Sequence, residues 1–354
     1  MPFTAGAGRD IPAWPRPCRG PGFLPPAPPV PAPVTIADVL AARERLAPYL
    51  TPTPLREYAQ LNDLVGHGIR VFVKHENHQP TQSFKIRNGL ASVTALTPEE
   101  RSRGAIGAST GNHGQGVAYA GRLLGVPVAI CVPEKNNPEK NAAMRALGAE
   151  LVEVGANYDE TVVACSRIAA ERGMTLVHST NNPNVIAGAG TMTLEILEQQ
   201  PDIDAIVIAL GGGSQAVGAL LVTRARAPHV QVFAVGAAGA PAQHDSWHRG
   251  ERLTGQAINT FAEGIATGGA YEMTFGPLRE GLADFITVTD DEMYAGIRDL
   301  VRVTHNLPEG AGAAGLAGLR HLAPRLAGKR VAIIMCGGNL SMASLRRALA
   351  DLDS

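Results

Sequence analysis

Ile203-Asp204-Ala205-Ile206-Val207-Ile208-Ala209-Leu210 runs directly into Gly211-Gly212-Gly213-Ser214-Gln215-Ala216-Val217-Gly218, and a helical pattern then continues to Arg226. An apolar run of eight reads as a buried strand, and strand, glycine turn, helix is the order that presents free backbone N–H groups to a phosphate. A plain strand-to-helix turn explains one glycine, but three in a row are conformationally expensive unless a ligand or another backbone comes close. Gly211, Gly213 and Ala216 also fit a loose GxGxxA dinucleotide fingerprint. That fingerprint wants an acid about 20 residues on, at the end of the next strand, and Val232-Phe233-Ala234-Val235-Gly236 ends in glycine instead. A nicotinamide dehydrogenase is therefore the lesser reading of this loop.

Outward from this loop, short apolar runs alternate with helical stretches: Val71 to Val73, Ala105 to Gly107, Val126 to Val132, Glu150 to Val154, Val230 to Val235 and Val331 to Met335. The alternation predicts βαβ units and an α/β fold of mostly parallel sheets flanked by helices. The 354 residues, 45% hydrophobic but only 5% aromatic and with 40 glycines, suit helices packed closely on such sheets and exclude a small stapled module. Lys and Arg total 31 against 32 Asp and Glu, so nothing in the balance points to nucleic acid or an anionic membrane as partner. Cys18, Cys131, Cys165 and Cys336 are scattered without a CxxC pair, which fits a reducing, cytoplasmic setting. There is no apolar run of membrane-spanning length and no secretory signal pattern.

Two further glycine segments follow apolar runs and precede helical patterns: Ser109-Thr110-Gly111-Asn112-His113-Gly114-Gln115-Gly116 and Met335-Cys336-Gly337-Gly338-Asn339. A helix opening at Asn112 or His113 would aim free N–H groups and a partial positive charge at a small anion such as a carboxylate. Phosphate at one loop and carboxylate at another amount to a cofactor beside an amino acid. A solitary lysine is usually a solvated side chain. Lys85, however, stands in Ser83-Phe84-Lys85-Ile86-Arg87, ahead of a helical stretch from Ile86 to Leu96. Together these segments resemble the fold type II pyridoxal-phosphate enzymes, the threonine dehydratase and serine racemase group, whose lysine motif is SFKxR. The resemblance extends in order through Ser109 to Gly116, Gly188-Ala189-Gly190-Thr191-Met192-Thr193-Leu194-Glu195, Gly211 to Ser214, Glu309-Gly310-Ala311-Gly312 and Cys336 to Asn339, and so covers about Thr35 to Ser341.

The resemblance implies a two-lobed fold like that of the tryptophan synthase β chain: a proline-rich arm over 1–34, a larger cofactor-binding lobe over 35–103 and 184–354, and a smaller lobe over 104–183. It implies pyridoxal 5'-phosphate as cofactor and Lys85 as the Schiff-base lysine that also takes the Cα proton. Phe84 would pack beside the cofactor ring, Asn112 would meet the ring hydroxyl, and Gly211, Gly212, Gly213 and Ser214 would hold the phosphate. Glu309 would lie near the cofactor and Cys336 would face the pyridine nitrogen. Ser109, Thr110, Gly111, Asn112 and His113 would line the substrate-carboxylate pocket, with Thr110 in the place of a second catalytic acid. The implied reaction is elimination of water from a β-hydroxy-α-amino acid to a 2-oxo acid and ammonia. Alternatives on the same fold are an amino-acid racemase and a β-replacement synthase; from another class comes a silent ligand-binding descendant, against which Lys85 and Asn112 argue. A weakly acidic thiol at the ring nitrogen favours direct β-elimination. The expected partner is a small amino-acid substrate, the expected assembly a homodimer or homotetramer.

This chain departs from the family pattern in reading Gly188-Ala189-Gly190 for GQG, Ser179-Thr180-Asn181 before it, and Ala262-Glu263-Gly264 for ADG. Two of these changes shrink side chains, so a substrate bulkier than serine, such as a 3-substituted serine, is expected. Gly236-Ala237-Ala238 stands where racemases of the family begin a divalent-cation site, so no metal is expected. His75 with His78, and His244 with His248, read as satisfied histidines rather than metal pairs. Only residues 342–354 follow Ser341, and no regulatory domain is expected there.

Overall fold

The computed structural model describes residues 34–350; of the proline-rich arm only Val34 falls within them. The Ile36–Leu46 helix opens the described chain, and both the backbone N–H and the hydroxyl of Thr35 donate to the Asp38 carboxylate at its start (2.8 and 2.7 Å).

Among the described residues, ten strands form two sheets. The first has six, β1 (Leu55–Glu57), β2 (Arg70–His75), β7 (Ala205–Ala209), β8 (Gln231–Ala237), β9 (Asp284–Val288) and β10 (Arg330–Met335), in the order β1-β2-β10-β7-β8-β9. All neighbours are parallel except β1 with β2. The second is fully parallel, β5-β4-β3-β6, built from β3 (Ala105–Ala108), β4 (Val128–Val132), β5 (Glu150–Glu153) and β6 (Thr175–Leu176). Every apolar run read as a strand is one; β1, β6 and β9 are additional. β7 is buried along its whole length and β10 beyond Arg330, as strands covered by helices on both faces must be.

Parallel strands send all their C-terminal ends to one edge, where ligands of open α/β sheets bind. β2 leads to the Lys85 segment, β7 to Gly211–Gly213 and β10 to Cys336–Asn339, while β3 leads to Ser109–Gly111. Helix crossings close the space between these ends. Gly114 and Gly116 lie inside the Asn112–Leu124 helix rather than in a loop, and a Cβ on Gly116 would collide with the Lys85 carbonyl oxygen. A Cβ on Gly188, inside the Pro183–Gln199 helix, would come 2.5 Å from the Arg87 carbonyl oxygen. Gly116 and Gly188 let the Lys85–Thr94 helix lie in backbone contact with two others.

Candidate active site

Lys85 is the first residue of its helix, and its entry is stitched to the loop after β10. Phe84 N–H donates to the Cys336 carbonyl (3.0 Å), Gly338 N–H donates to the Gln82 carbonyl (2.8 Å), and Ser83 bridges Gly337. Gln82 takes left-handed backbone (φ 54°), a conformation uncommon outside glycine and held here by these bonds. The Lys85 amine lies 4.8 Å from the centroid of the Phe84 ring and has no carboxylate within ion-pair distance among the described residues. Burial drives its pKa down to about 8, against weaker opposing charge from Cys336 and Glu309. An unpaired amine of this kind is neutral in part near physiological pH, far more so than an ordinary lysine, and the neutral form is the one a nucleophile or base needs.

Beneath it, the second residue on, Arg87, organises a buried quartet. Its guanidinium donates to Glu76 through Nε and Nη2 (both 2.8 Å) and to Glu195 through Nη1 and Nη2 (2.6 and 2.8 Å). Lys74 Nζ reaches Glu195 (2.6 Å) and the Thr53 carbonyl (2.7 Å), and the Thr53 hydroxyl donates to Glu76 (2.6 Å). Two cations and two anions balance. Burial alone would raise the Glu76 carboxyl, but the Arg87 guanidinium outweighs it and holds the carboxyl below its ordinary value.

Asn112 begins the helix after β3 and its amide is held at both ends: Nδ2 donates to Glu309 Oε1 (2.7 Å) and Oδ1 accepts from Asn339 Nδ2 (2.8 Å). Asn339 also donates to the Thr81 carbonyl (3.0 Å), so Asn339, quoted in its motif without a role, joins three loops. Burial raises the Glu309 carboxyl against the Lys140 charge and the Asn112 bond. Burial likewise pushes the Cys336 thiol up and keeps it protonated.

The Ser109–His113 loop divides its work. Ser109 Oγ accepts from Gly111 and Gly114 N–H (3.0 and 2.9 Å), so this hydroxyl shapes the turn, and the N–H groups of Asn112 and His113 stay open at the helix start. The His113 ring turns inward, Nε2 donating to the Val177 carbonyl (2.9 Å), and burial with the Lys85 charge lowers its pKa to about 3. His113 thus offers the pocket its backbone, not its imidazole. The Thr110 carbonyl accepts from Asn136 Nδ2 (3.2 Å).

At the Gly211–Gly213 turn, Gly213 has φ 97°, and a Cβ on Gly211 would lie 2.6 Å from the Gly264 carbonyl oxygen. The Gly212 carbonyl is fixed by Thr274 Oγ1 (2.8 Å), and the turn runs straight into the Ser214–Arg226 helix, whose first N–H groups have no acceptor within the helix. Gln215 Nε2, in the first turn of that helix, is buried with no partner.

His178 was not singled out from sequence. Its Nδ1 accepts from Thr180 and Asn181 N–H (both 3.0 Å), which places the ring proton on Nε2, and burial, then the Lys85 charge, lower its pKa to about 4. The only sequence signal was its place beside Ser179-Thr180-Asn181. The Tyr158 hydroxyl lies 3.0 Å from Ser179 Oγ. The cavity left there is about 10 Å³, room for one water at most. His244 and His248 are 4.3 Å apart but have their own partners, Asp245 and the Phe285 carbonyl.

A family model described as pyridoxal-phosphate dependent enzyme matches residues 46–337, and the chain belongs to that family. It is 34% identical over 318 residues to an L-threonine ammonia-lyase of Thermotoga maritima, covering 89% of this chain and 78% of the relative. It is 33% identical to an L-threo-3-hydroxyaspartate ammonia-lyase of Saccharomyces cerevisiae, covering 87% and 94%. Among solved structures, maize serine racemase superposes with a TM-score of 0.84 at 29% identity, over 90% of this chain and 98% of that one. The chain is an enzyme of the ammonia-lyase kind, and pyridoxal 5'-phosphate is its cofactor. The residues present fit that group: an unpaired, low-pKa amine, a glycine turn opening a helix and an orphaned amide donor stand at the C-terminal ends of strands of one sheet. No helix among the described residues is long and apolar enough to cross a membrane.

Covalent capture of the cofactor by apo-protein should therefore titrate with a midpoint of about 8, read as the mass gained after borohydride reduction. A midpoint at the ordinary lysine value of 10.5 would overturn the reading of Lys85 as a desolvated amine.

Proposed function

We propose that the chain eliminates water from a β-hydroxy-α-amino acid of the threonine or serine type, giving a 2-oxo acid and ammonia. The observation that carries this is the unpaired Lys85 amine set beside a helix start with open N–H groups. Lys85 would hold the cofactor covalently, Gly211, Gly212, Gly213 and Ser214 its phosphate, Asn112 its ring hydroxyl and Cys336 its ring nitrogen, with Phe84 against the ring and Glu309 orienting Asn112. Bound there, the cofactor supplies an electron sink for charge developing at Cα.

The open N–H groups of Asn112 and His113 hold the substrate carboxylate through the helix dipole. With the carboxylate fixed, the Cα proton falls to Lys85 Nζ, whose lowered pKa suits a base near neutrality. The protonated Cys336 thiol donates no full charge to the ring nitrogen, which favours prompt loss of the β-hydroxyl over prolonged carbanion chemistry. Residues 104–183 act as the smaller lobe, 35–103 with 184–354 as the larger. The cysteines, far apart in the sequence and without a CxxC pair, support a cytoplasmic enzyme, working as a homodimer or homotetramer.

The test is incubation of the holoenzyme with a panel of β-hydroxy amino acids and no second substrate. Equal amounts of 2-oxo acid and ammonia from at least one member are expected. Inverted substrate with no oxo acid would replace the reading by racemisation; product only with an added nucleophile would replace it by β-replacement.

A further inference from the structure

Lys140, on the Pro138–Ala146 helix that follows β4, was not among the residues noticed in the sequence. Its stem lies across Gly111: a Cβ there would be 2.9 Å from Lys140 Cδ and 3.5 Å from Nζ. The ammonium therefore sits at the start of the Asn112–Leu124 helix, where the open N–H groups await a carboxylate. Its side chain is 12% exposed, and a cation that far removed from water needs a partner. Its partner is Glu263 Oε2 at 2.6 Å, on the Glu263–Ile265 turn that follows Ala262. Glu263 itself is 42% exposed, so its carboxylate faces the entrance while Lys140 faces inward.

We propose that the Lys140–Glu263 pair selects the charge of the substrate's β-substituent, admitting neutral β-hydroxy amino acids and turning away those that carry a second carboxylate. The inference rests on the elimination reading above and narrows its substrate class. Substrates of that class differ at Cβ in whether the substituent is hydrogen, alkyl or carboxylate, and only the last adds a negative charge. An incoming side-chain carboxylate meets the anionic Glu263 at the mouth and finds the nearby cation already engaged. With Glu263 neutralised, Lys140 is left without an ion-pair partner beside Gly111, and a second carboxylate can take that place. The other acid near the loop, Glu309, is bonded to Asn112 and buried at 7% exposure; it feels the Lys140 charge but makes no ion pair with it.

The experiment compares kcat/KM for serine and for 3-hydroxyaspartate in the holoenzyme, in Glu263→Gln, and in Glu263→Gln combined with Lys140→Met. Glu263→Gln should raise the hydroxyaspartate-to-serine ratio at least about tenfold, the scale of one like-charge contact, and the double variant should lose that gain. An unchanged ratio in Glu263→Gln, or a gain that persists without Lys140, overturns the proposal. Calorimetric binding of succinate against butyrate to the same three proteins gives a readout without turnover. Tighter succinate binding in Glu263→Gln alone supports the pair even if no amino acid is consumed, an outcome that would sink the elimination reading only.

Discussion

Lys85→Ala should lose covalent cofactor attachment altogether and lower oxo-acid formation by at least about 10⁴-fold, because one amine serves as both anchor and base. Its melting temperature should stay close to that of the parent apo-protein, since the amine has no ion pair to lose and removing a desolvated cation costs little. Borohydride reduction followed by peptide mapping checks the first expectation, and a thermal scan of apo-protein the second. Attachment retained at full stoichiometry in the variant would show that another lysine is the anchor. Lys140 beside Gly111 is then the candidate to map first. Unfolding of the variant would instead show that Lys85 is structural.

Arg87→Met should have the largest effect on stability, about 3–5 kcal/mol, because it leaves Glu76 and Glu195 buried with only Lys74 between them. Methionine fills much of the same volume, so most of the loss is electrostatic rather than a cavity. Urea unfolding of apo-protein reads the difference, and a loss below about 1 kcal/mol would mean that the carboxylates find other partners or take up protons. The pH dependence has a definite sign. Glu76 titrates lower in the folded protein than its ordinary 4.5, so its contribution is present above pH 4.5 and is lost as pH falls through the lower folded value. The parent should thus lose stability in acid below about pH 4.5, and Arg87→Met should lose less of it over the same range. Arg87 is two residues from Lys85 on one helix, so the same change should also loosen the placement of the amine.

The reading of the fold held where the signal was local. Buried parallel strands are continuous apolar runs, so β7, β8 and β10 were legible directly. β1 and β6 are only three and two residues long, and β9, Asp284-Phe285-Ile286-Thr287-Val288, mixes polar with apolar residues. None of the three carries enough periodicity to stand out. The start of the helix at Asn112 and the Gly211–Gly213 turn were likewise legible, because caps and turns depend on a few neighbouring residues.

By itself, the sequence determined the α/β class, the family and the ordered motifs, since each is encoded in short local runs and their order along the chain. Only the tertiary structure decided what those motifs do for one another. Gly116 and Gly188 sit inside helices, and their purpose is backbone contact with the Lys85 helix, which no local pattern announces. Ser109 and His113 turn out to be bonded within the protein. Lys74 meets Glu195 across 121 positions, and Lys140 meets Glu263 across 123. Hydropathy and spacing report what a residue does within a turn or two of chain. Which buried charge finds which partner is settled only when distant elements are packed together, because an isolated charge inside the protein costs far more than any local preference can offset.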